Sequence, residues 1–395
     1  MSENENKVNT KNVTIVGLIA IMAIFLVNRG VNIVTPAMNT FYEHFSEYSQ
    51  ETVAMISTLP NLTLVIGTLI VGAIVGKRFS FKSMAILGSV LYLIGGVAPY
   101  FIDSLYVILG CRLLFGFGLG LVYPLSNALI NGLYEGDKRA TLLGYGTFML
   151  NIGGIILQTL GGILADIDWQ LTFIAHAVAV LSLVCAFLLP EPPKKEEVAK
   201  TKGGWLTGPV LVIGIVFFIY MLMAYPVMLN VSVIFSDRLA TGAAVSSTAL
   251  SLYTALAAVS GFFFGALFKF VKRWCLFIGF IIATIGMVMV NYGQDYIVLT
   301  VGVGLIGLGF GIIMPALLAW CGKVAPEGKV SICTSFALAL MNLAGFVSSF
   351  YLSGVAAVFG ESVYAPIEIA IPVLAIMTIL FIIYNPFKEK KAASA

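Results

Sequence analysis

Two arginines, Arg29 and Arg112, lie inside long apolar stretches of a 395-residue chain, and no aspartate or glutamate shares either stretch. A charged side chain at mid-membrane costs about 2.5 to 3.5 kcal/mol even on lenient scales, so each must have a reason to be there. A guanidinium offers a planar fork of donors that fits a carboxylate or phosphate. At about 1.5 Å of helix per residue, Arg112 lies roughly 10 Å and Arg29 roughly 14 Å below the ends of their stretches that meet the acidic loops. Similar depth and a missing counter-charge predict an anion clamp; the competing expectation is a brace, with each guanidinium bound to backbone carbonyls or polar neighbours. Asn28, Asn32 and Thr35 share a helical face beside Arg29, and Tyr123 returns to the face of Arg112 eleven residues later.

Softer candidates follow the same spacing. Tyr220, Tyr225 and Asn230, then Asn151 and Gln158, then Ser335, Asn342 and Ser349 are polar at helical intervals. Such groups serve as solute contacts or as links between helices worth about 0.6 kcal/mol each. For proton coupling the candidates are His176, which takes up a proton near neutral pH, and Glu368, the one carboxylate inside a stretch, near a helix start that stabilises it in any case. The five cysteines have no metal-ligand spacing, so no metal and no disulfide framework is expected. No cofactor is expected either: Gly302-Val-Gly304-Leu-Ile-Gly307 spells a dinucleotide fingerprint but opens no helix after a strand.

The elements that must hold these residues are membrane helices. Hydrophobic residues make up 59% of the chain, charged residues 10%, and mean hydropathy is +1.00, values of a chain whose solvent is mostly lipid. About twelve apolar spans are expected, near 13–38, 52–76, 83–101, 105–132, 141–165, 171–189, 207–235, 246–268, 274–291, 296–322, 331–356 and 366–385. Period-2 alternation is absent, and backbone amides in lipid must pair within their own segment, so each is a helix. The predicted class is an all-α polytopic membrane protein. Basic residues fall in the tails and in every second loop, while the intervening loops hold only Arg238. By the positive-inside rule both termini are cytoplasmic. A nucleic-acid partner is excluded, because the basic residues are spread along the loops rather than gathered on one face. The four tryptophans stand at span ends, as headgroup anchors do.

A polar segment at 190–206 divides the chain into two halves of six spans, 13–189 and 207–385, with tails at 1–12 and 386–395. The halves repeat. Gly116-x-Gly118-x-Gly120-x-x-x-Pro124 returns as Gly307-x-Gly309-x-Gly311-x-x-x-Pro315, displaced by 191 residues, and Asn151 and Asn342 keep that displacement. Duplicated six-helix units are a transporter device, and the small residues let neighbouring helices approach closely.

On these features the chain resembles the major facilitator superfamily of two-lobed, twelve-helix secondary transporters. The loop Gly72-Ala-Ile-Val-Gly76-Lys77-Arg78-Phe-Ser-Phe-Lys82 is similar to that family's signature gating loop, with Gly76 where an aspartate is usual. Arg112-Leu-Leu-Phe-Gly116-Phe-Gly118 is similar to its buried arginine followed by small residues. Asn151, Gly153, Gly154, Gly161 and Gly162 resemble its glycine-rich fifth helix. The resemblance implies that spans 1, 4, 7 and 10 line a central cavity, with Arg29 and Arg112 on the solute route.

The expected function is therefore secondary transport of a small organic solute, with an organic anion favoured, by alternating access and with a possible coupling proton. The rival is proton-coupled drug efflux, disfavoured by the lack of a deeply buried carboxylate. A reading from another class is a non-transporting sensor or assembly protein on a transporter fold. An enzyme is not expected, since no paired acids, Ser/His pair or metal cluster appears within the spans. The chain is expected to act as a monomer in a bacterial cytoplasmic membrane.

Overall fold

The computed structural model describes residues 15–76, 78–134, 136–192, 204, 206–271, 274–326, 329–360, 362–384 and 386. Lys77, Trp205, the tail at 1–12 and nearly all of the central polar segment and C-terminal tail lie outside the described residues. The described residues are helical apart from loops and one isolated bridge between Val75 and Phe79.

Among the described residues, eleven helices are long and apolar enough to cross a bilayer: span 1 (Ile15–His44), span 2 (Gln50–Gly72), span 3 (Phe81–Phe101), span 4 (Leu105–Leu133), span 5 (Thr141–Ile167), span 7 (Gly208–Leu239), span 8 (Ala243–Val271), span 9 (Cys275–Tyr292), span 10 (Tyr296–Val324), span 11 (Ile332–Phe359) and span 12 (Ala365–Ile383). Span 6 (Leu171–Ala186) is shorter than expected and carries a 3-10 turn at Ala175–Val178, around His176.

The internal repeat is visible in the packing. Span 4 packs between spans 2 and 3, and span 10 between spans 8 and 9. A Cβ added to Gly118 would strike the Gly88 carbonyl and the Tyr92 amide, and one added to Gly309 would strike the Gly279 carbonyl and the Ala283 side chain. Both partner pairs are again displaced by 191 residues. Gly116 and Gly120 abut Pro60 and Leu64, while Gly307 and Gly311 abut Tyr253 and Ala257, a displacement of 193. The prolines differ: span 4 breaks at Pro124, whereas Pro315 sits inside the continuous helix of span 10, as Pro226 does in span 7.

Arg238, the basic residue of the acidic loops, is occupied by the end of span 9. Its Nη1 donates to the carbonyls of Val290 at 2.9 Å and Gly293, its Nη2 to that of Asn291 at 2.6 Å, and the guanidinium lies 4.3 Å from the centre of the Tyr364 ring. It neutralises the carbonyl end of a helix. Of the tryptophans, Trp274 is partly exposed but Trp320 is buried against Phe381 and Tyr384, so the latter is core and not an anchor.

The halves join through the end of the bundle that carries the acidic loops. Asp166, at the end of span 5, accepts from the amides of Ala243 and Ala244 at 2.5 and 3.0 Å, the first residues of span 8. The Asn39 amide donates to Ser232 Oγ at 3.0 Å. Nearer the middle, Gln158 Nε2 donates to Thr254 Oγ1 at 3.1 Å, Thr159 and Ser251 hydroxyls meet at 3.1 Å, and Tyr225 Oη donates to Asn61 Oδ1 at 3.4 Å. The described hydrogen bonds between the halves all lie at mid-depth or toward that acidic face.

Candidate functional site

A cavity of about 120 Å³ lies between the halves at mid-depth. It begins where span 1 stops being an α-helix. The α-helical part ends at Val27 and a 3-10 turn runs from Gly30 to Ala37, leaving Asn28 and Arg29 at the junction. Arg29 has φ −96° and ψ 13°, the sparsely allowed bridge region where site residues recur. Irregular backbone at membrane depth is tolerated where it lines a cavity, and discontinuous helices are how transporters build binding sites. Gly30 permits the junction, because Tyr92 Oη occupies the place a Cβ would take.

Arg29 borders the cavity, and its buried Nε meets no hydrogen-bond partner among the described residues. Asn28, Asn32, Thr35, Ser57 and Asn61 border it on the same side. Asn28 Nδ2 donates to the Tyr123 carbonyl and to Ser126 Oγ, each at 3.4 Å, tying the span 1 junction to the span 4 break; its buried Oδ1 is unpaired. The second half faces them with Met221, Met228, Leu229, Phe310, Met314 and Met341, together with Tyr225, Tyr253, Thr254 and Asn342. No carboxylate borders the cavity among the described residues.

Arg112 is elsewhere. It is fully buried within the first half, with Nε donating to the Ile56 carbonyl at 2.8 Å, Nη1 3.1 Å from His176 Nε2, and the guanidinium 4.2 Å from the centre of the Phe115 ring. The cause is four residues on from Ile56. Pro60 has no N–H to donate to the Ile56 carbonyl, and Arg112 supplies the missing bond. The repeat supports this account: the counterpart of Pro60 is Tyr253, which has its N–H, and the counterpart of Arg112 is Val303. The geometry is that of the brace; Arg29 and Arg112 are not brought together.

His176 completes the same cluster. Its Nδ1 lies 3.0 Å from the Phe173 carbonyl and its Nε2 faces Arg112, which fixes a neutral ring with the proton on Nδ1. Glu368 is exposed in the first turn of span 12, away from the cavity. Asn151 and Asn342 keep their symmetry, each donating to the carbonyl four residues back, Thr147 at 2.8 Å and Leu338 at 2.9 Å, but only Asn342 borders the cavity. Tyr220 is buried under Phe310 with its hydroxyl 3.4 Å from the Ile306 carbonyl. Asn230 lines a small cleft near the acidic face. Sequence reasoning passed over Ser57, Asn61, Tyr253 and Thr254, although Ser57-Thr58-Leu-Pro60-Asn61 is a polar run in an otherwise apolar span.

In the signature loop, Gly76 has φ +76°, a conformation an aspartate would adopt at a cost. A carboxylate still reaches this corner from the end of span 6: Glu191 accepts from the amides of Phe81 and Lys82 at 3.0 and 2.8 Å, at the start of span 3. Gly72 has open space around it.

The fold, its duplicated halves and a solute-sized cavity between them define a membrane transporter. The Major Facilitator Superfamily profile matches residues 17–349, and the chain belongs to that family, whose members are transporters of small molecules and not enzymes. The chain is 23% identical over 394 residues to the quinolone resistance protein NorA of Staphylococcus aureus (strain COL), covering 93% of this chain and 96% of that protein. It is 27% identical over 192 residues to the multidrug efflux pump SdrM of Staphylococcus aureus (strain N315), covering 48% of this chain and 42% of that one. Among solved structures it is similar in fold to a POT family transporter in complex with 5-aminolevulinic acid (TM-score 0.75, 13% identity, 94% of this chain and 96% of that one) and to a D-xylose-proton symporter (TM-score 0.68, 18% identity, 91% and 96%).

Proposed function

We propose that this chain carries a small organic anion across the membrane by alternating access, with Arg29 as the anion's anchor. The observation that supports this most is a cationic side chain bordering the inter-half cavity whose buried Nε has no partner, and which has no carboxylate beside it, among the described residues. An anion in the cavity would pair with the Arg29 guanidinium through charge-assisted bonds. The halves 13–189 and 207–385 rock about the site, and the bonds at the acidic face support a state closed on that side. With both termini cytoplasmic, the acidic face is the extracellular one. Arg112 is assigned to bracing and left out of the anion site; Asn28, Asn32, Tyr123, Tyr225 and Asn342 remain in it.

A second reading, efflux of drugs, is favoured by the names of NorA and SdrM. Size separates the two. Pockets for drug-sized ligands measure about 300 to 1,000 Å³, whereas this cavity in this state measures about 120 Å³. Proteoliposomes loaded with labelled monocarboxylates or with a cationic dye, assayed with and without a pH gradient, test the assignment: Arg29-dependent flux of the anions supports it. Flux of the dye alone, unaffected by Arg29→Gln, contradicts it.

A further inference from the structure

Resting on the anion reading, the two walls of the cavity say more about the solute than its charge. The first half contributes Arg29 and a set of amides and hydroxyls, Asn28, Asn32, Thr35, Ser57 and Asn61. The second half contributes four thioethers, Met221, Met228, Met314 and Met341, with Leu229 and Phe310, and beside them Tyr225, Tyr253, Thr254 and Asn342 but no charged side chain. The contrast arises within a repeat. Arg29 and Tyr225 occupy matching places in spans 1 and 7, beside Gly154 and Gly345, and one helical turn on Asn32 is matched by Met228. The duplication has kept the backbone plan and put the cation on one wall and the thioethers on the other.

We infer that the solute is a small monocarboxylate with a compact apolar body, held with its carboxylate on the first-half wall at Arg29 and its body on the methionine wall of the second half. One cation borders the cavity among the described residues, which suits one negative charge. A second carboxylate would turn toward a wall with four thioethers and no cation, where the Tyr225 and Thr254 hydroxyls already donate to Asn61 and to the Leu250 carbonyl, and its lost hydration would be poorly offset. Size limits the whole solute: an apolar cavity of about 150 Å³ holds benzene, so about 120 Å³ takes a short-chain acid or at most a single ring in this state. Unbranched thioethers adjust to different shapes, so the wall selects for apolar area more than for outline.

The test uses the full-length protein in proteoliposomes, with uptake of labelled benzoate as the readout and unlabelled competitors. Affinity is expected to rise from acetate through propionate to butyrate by about fourfold for each methylene buried. Succinate should compete at least tenfold more weakly than butyrate, and benzamide should not compete. Met228→Ser and Met341→Ser should each flatten the rise. A flat acetate-to-butyrate series in the unmodified protein, or succinate equal to butyrate, overturns the inference while leaving an Arg29-dependent anion carrier intact. Benzamide competing as well as benzoate, or benzoate uptake unchanged by Arg29→Gln, sinks the anion reading itself, and absence of benzoate uptake overturns both.

Discussion

Gly154 and Gly345 stand 191 residues apart in spans 5 and 11 and do the same work, each leaving room for a side chain that borders the cavity. A Cβ on Gly154 would lie 3.2 Å from Arg29 Cγ, and one on Gly345 would lie 2.7 Å from the ring of Tyr225. Arg29 and Tyr225 are thus held by equivalent shelves in the two halves, one presenting a cation and the other a phenol.

Filling the first shelf should move the cation. Gly154→Val is expected to displace Arg29 and weaken anion binding about tenfold or more, whereas Gly154→Ala, at a contact only a few tenths of an ångström too tight, should cost far less. Competition binding on both variants checks this. Equal affinity in Gly154→Val and the unmodified protein would detach Arg29's placement from function.

The brace makes a different prediction. Removing Arg112 leaves the Ile56 carbonyl and His176 Nε2 unpaired, at about 1 to 3 kcal/mol for each stranded group. Arg112→Leu should therefore lower the unfolding temperature in detergent. Pro60→Ala restores an N–H to the Ile56 carbonyl, so Arg112→Leu should cost about 1 kcal/mol less in that background, a coupling that a double-mutant cycle reads directly. Additive effects would separate Arg112 from Pro60.

At the acidic face, the carboxylate of Asp166 occupies the amide end of span 8, where a negative charge contributes about 0.3 to 1 kcal/mol beyond the hydrogen bonds. Gly242 leaves no space for a side chain there, a Cβ falling 2.6 Å from Asp166 Oδ1. Both Asp166→Ala and Gly242→Val should loosen this joint. The expected result is several-fold faster labelling, from the acidic face, of a cysteine placed at the cavity residue Leu250. Unchanged labelling in both variants would remove Asp166 from the closure of that face.

Much of this architecture could be read from residue order, for physical reasons. Lipid demands long apolar runs, and the Gly-x-Gly-x-Gly repeat is visible in the packing because Gly118 and Gly309 each touch a neighbouring backbone. Span 6 fell short because the helix ends at Ala186 while Phe187, Leu188 and Leu189 continue the apolar run, a boundary that hydropathy does not mark. Depth was legible for Arg29 and Arg112, but the direction each faces was not. For Arg112 the clue lay in another span, where Pro60 frees a carbonyl; for Arg29 it lay in Gly30, which opens the 3-10 segment, and Pro36 within it. The apolar wall escaped notice because methionines in an apolar helix look like core until the facing wall is known.

The central claim is that Arg29 is the counter-charge of the solute. Isothermal titration of benzoate into the purified protein and into Arg29→Gln tests it most directly. Loss of a buried, hydrogen-bonded charge partner costs about 2 to 5 kcal/mol, so the account predicts affinity at least about 30-fold weaker in the variant, with the fold intact by thermal melting. Equal affinity in the two proteins would contradict it.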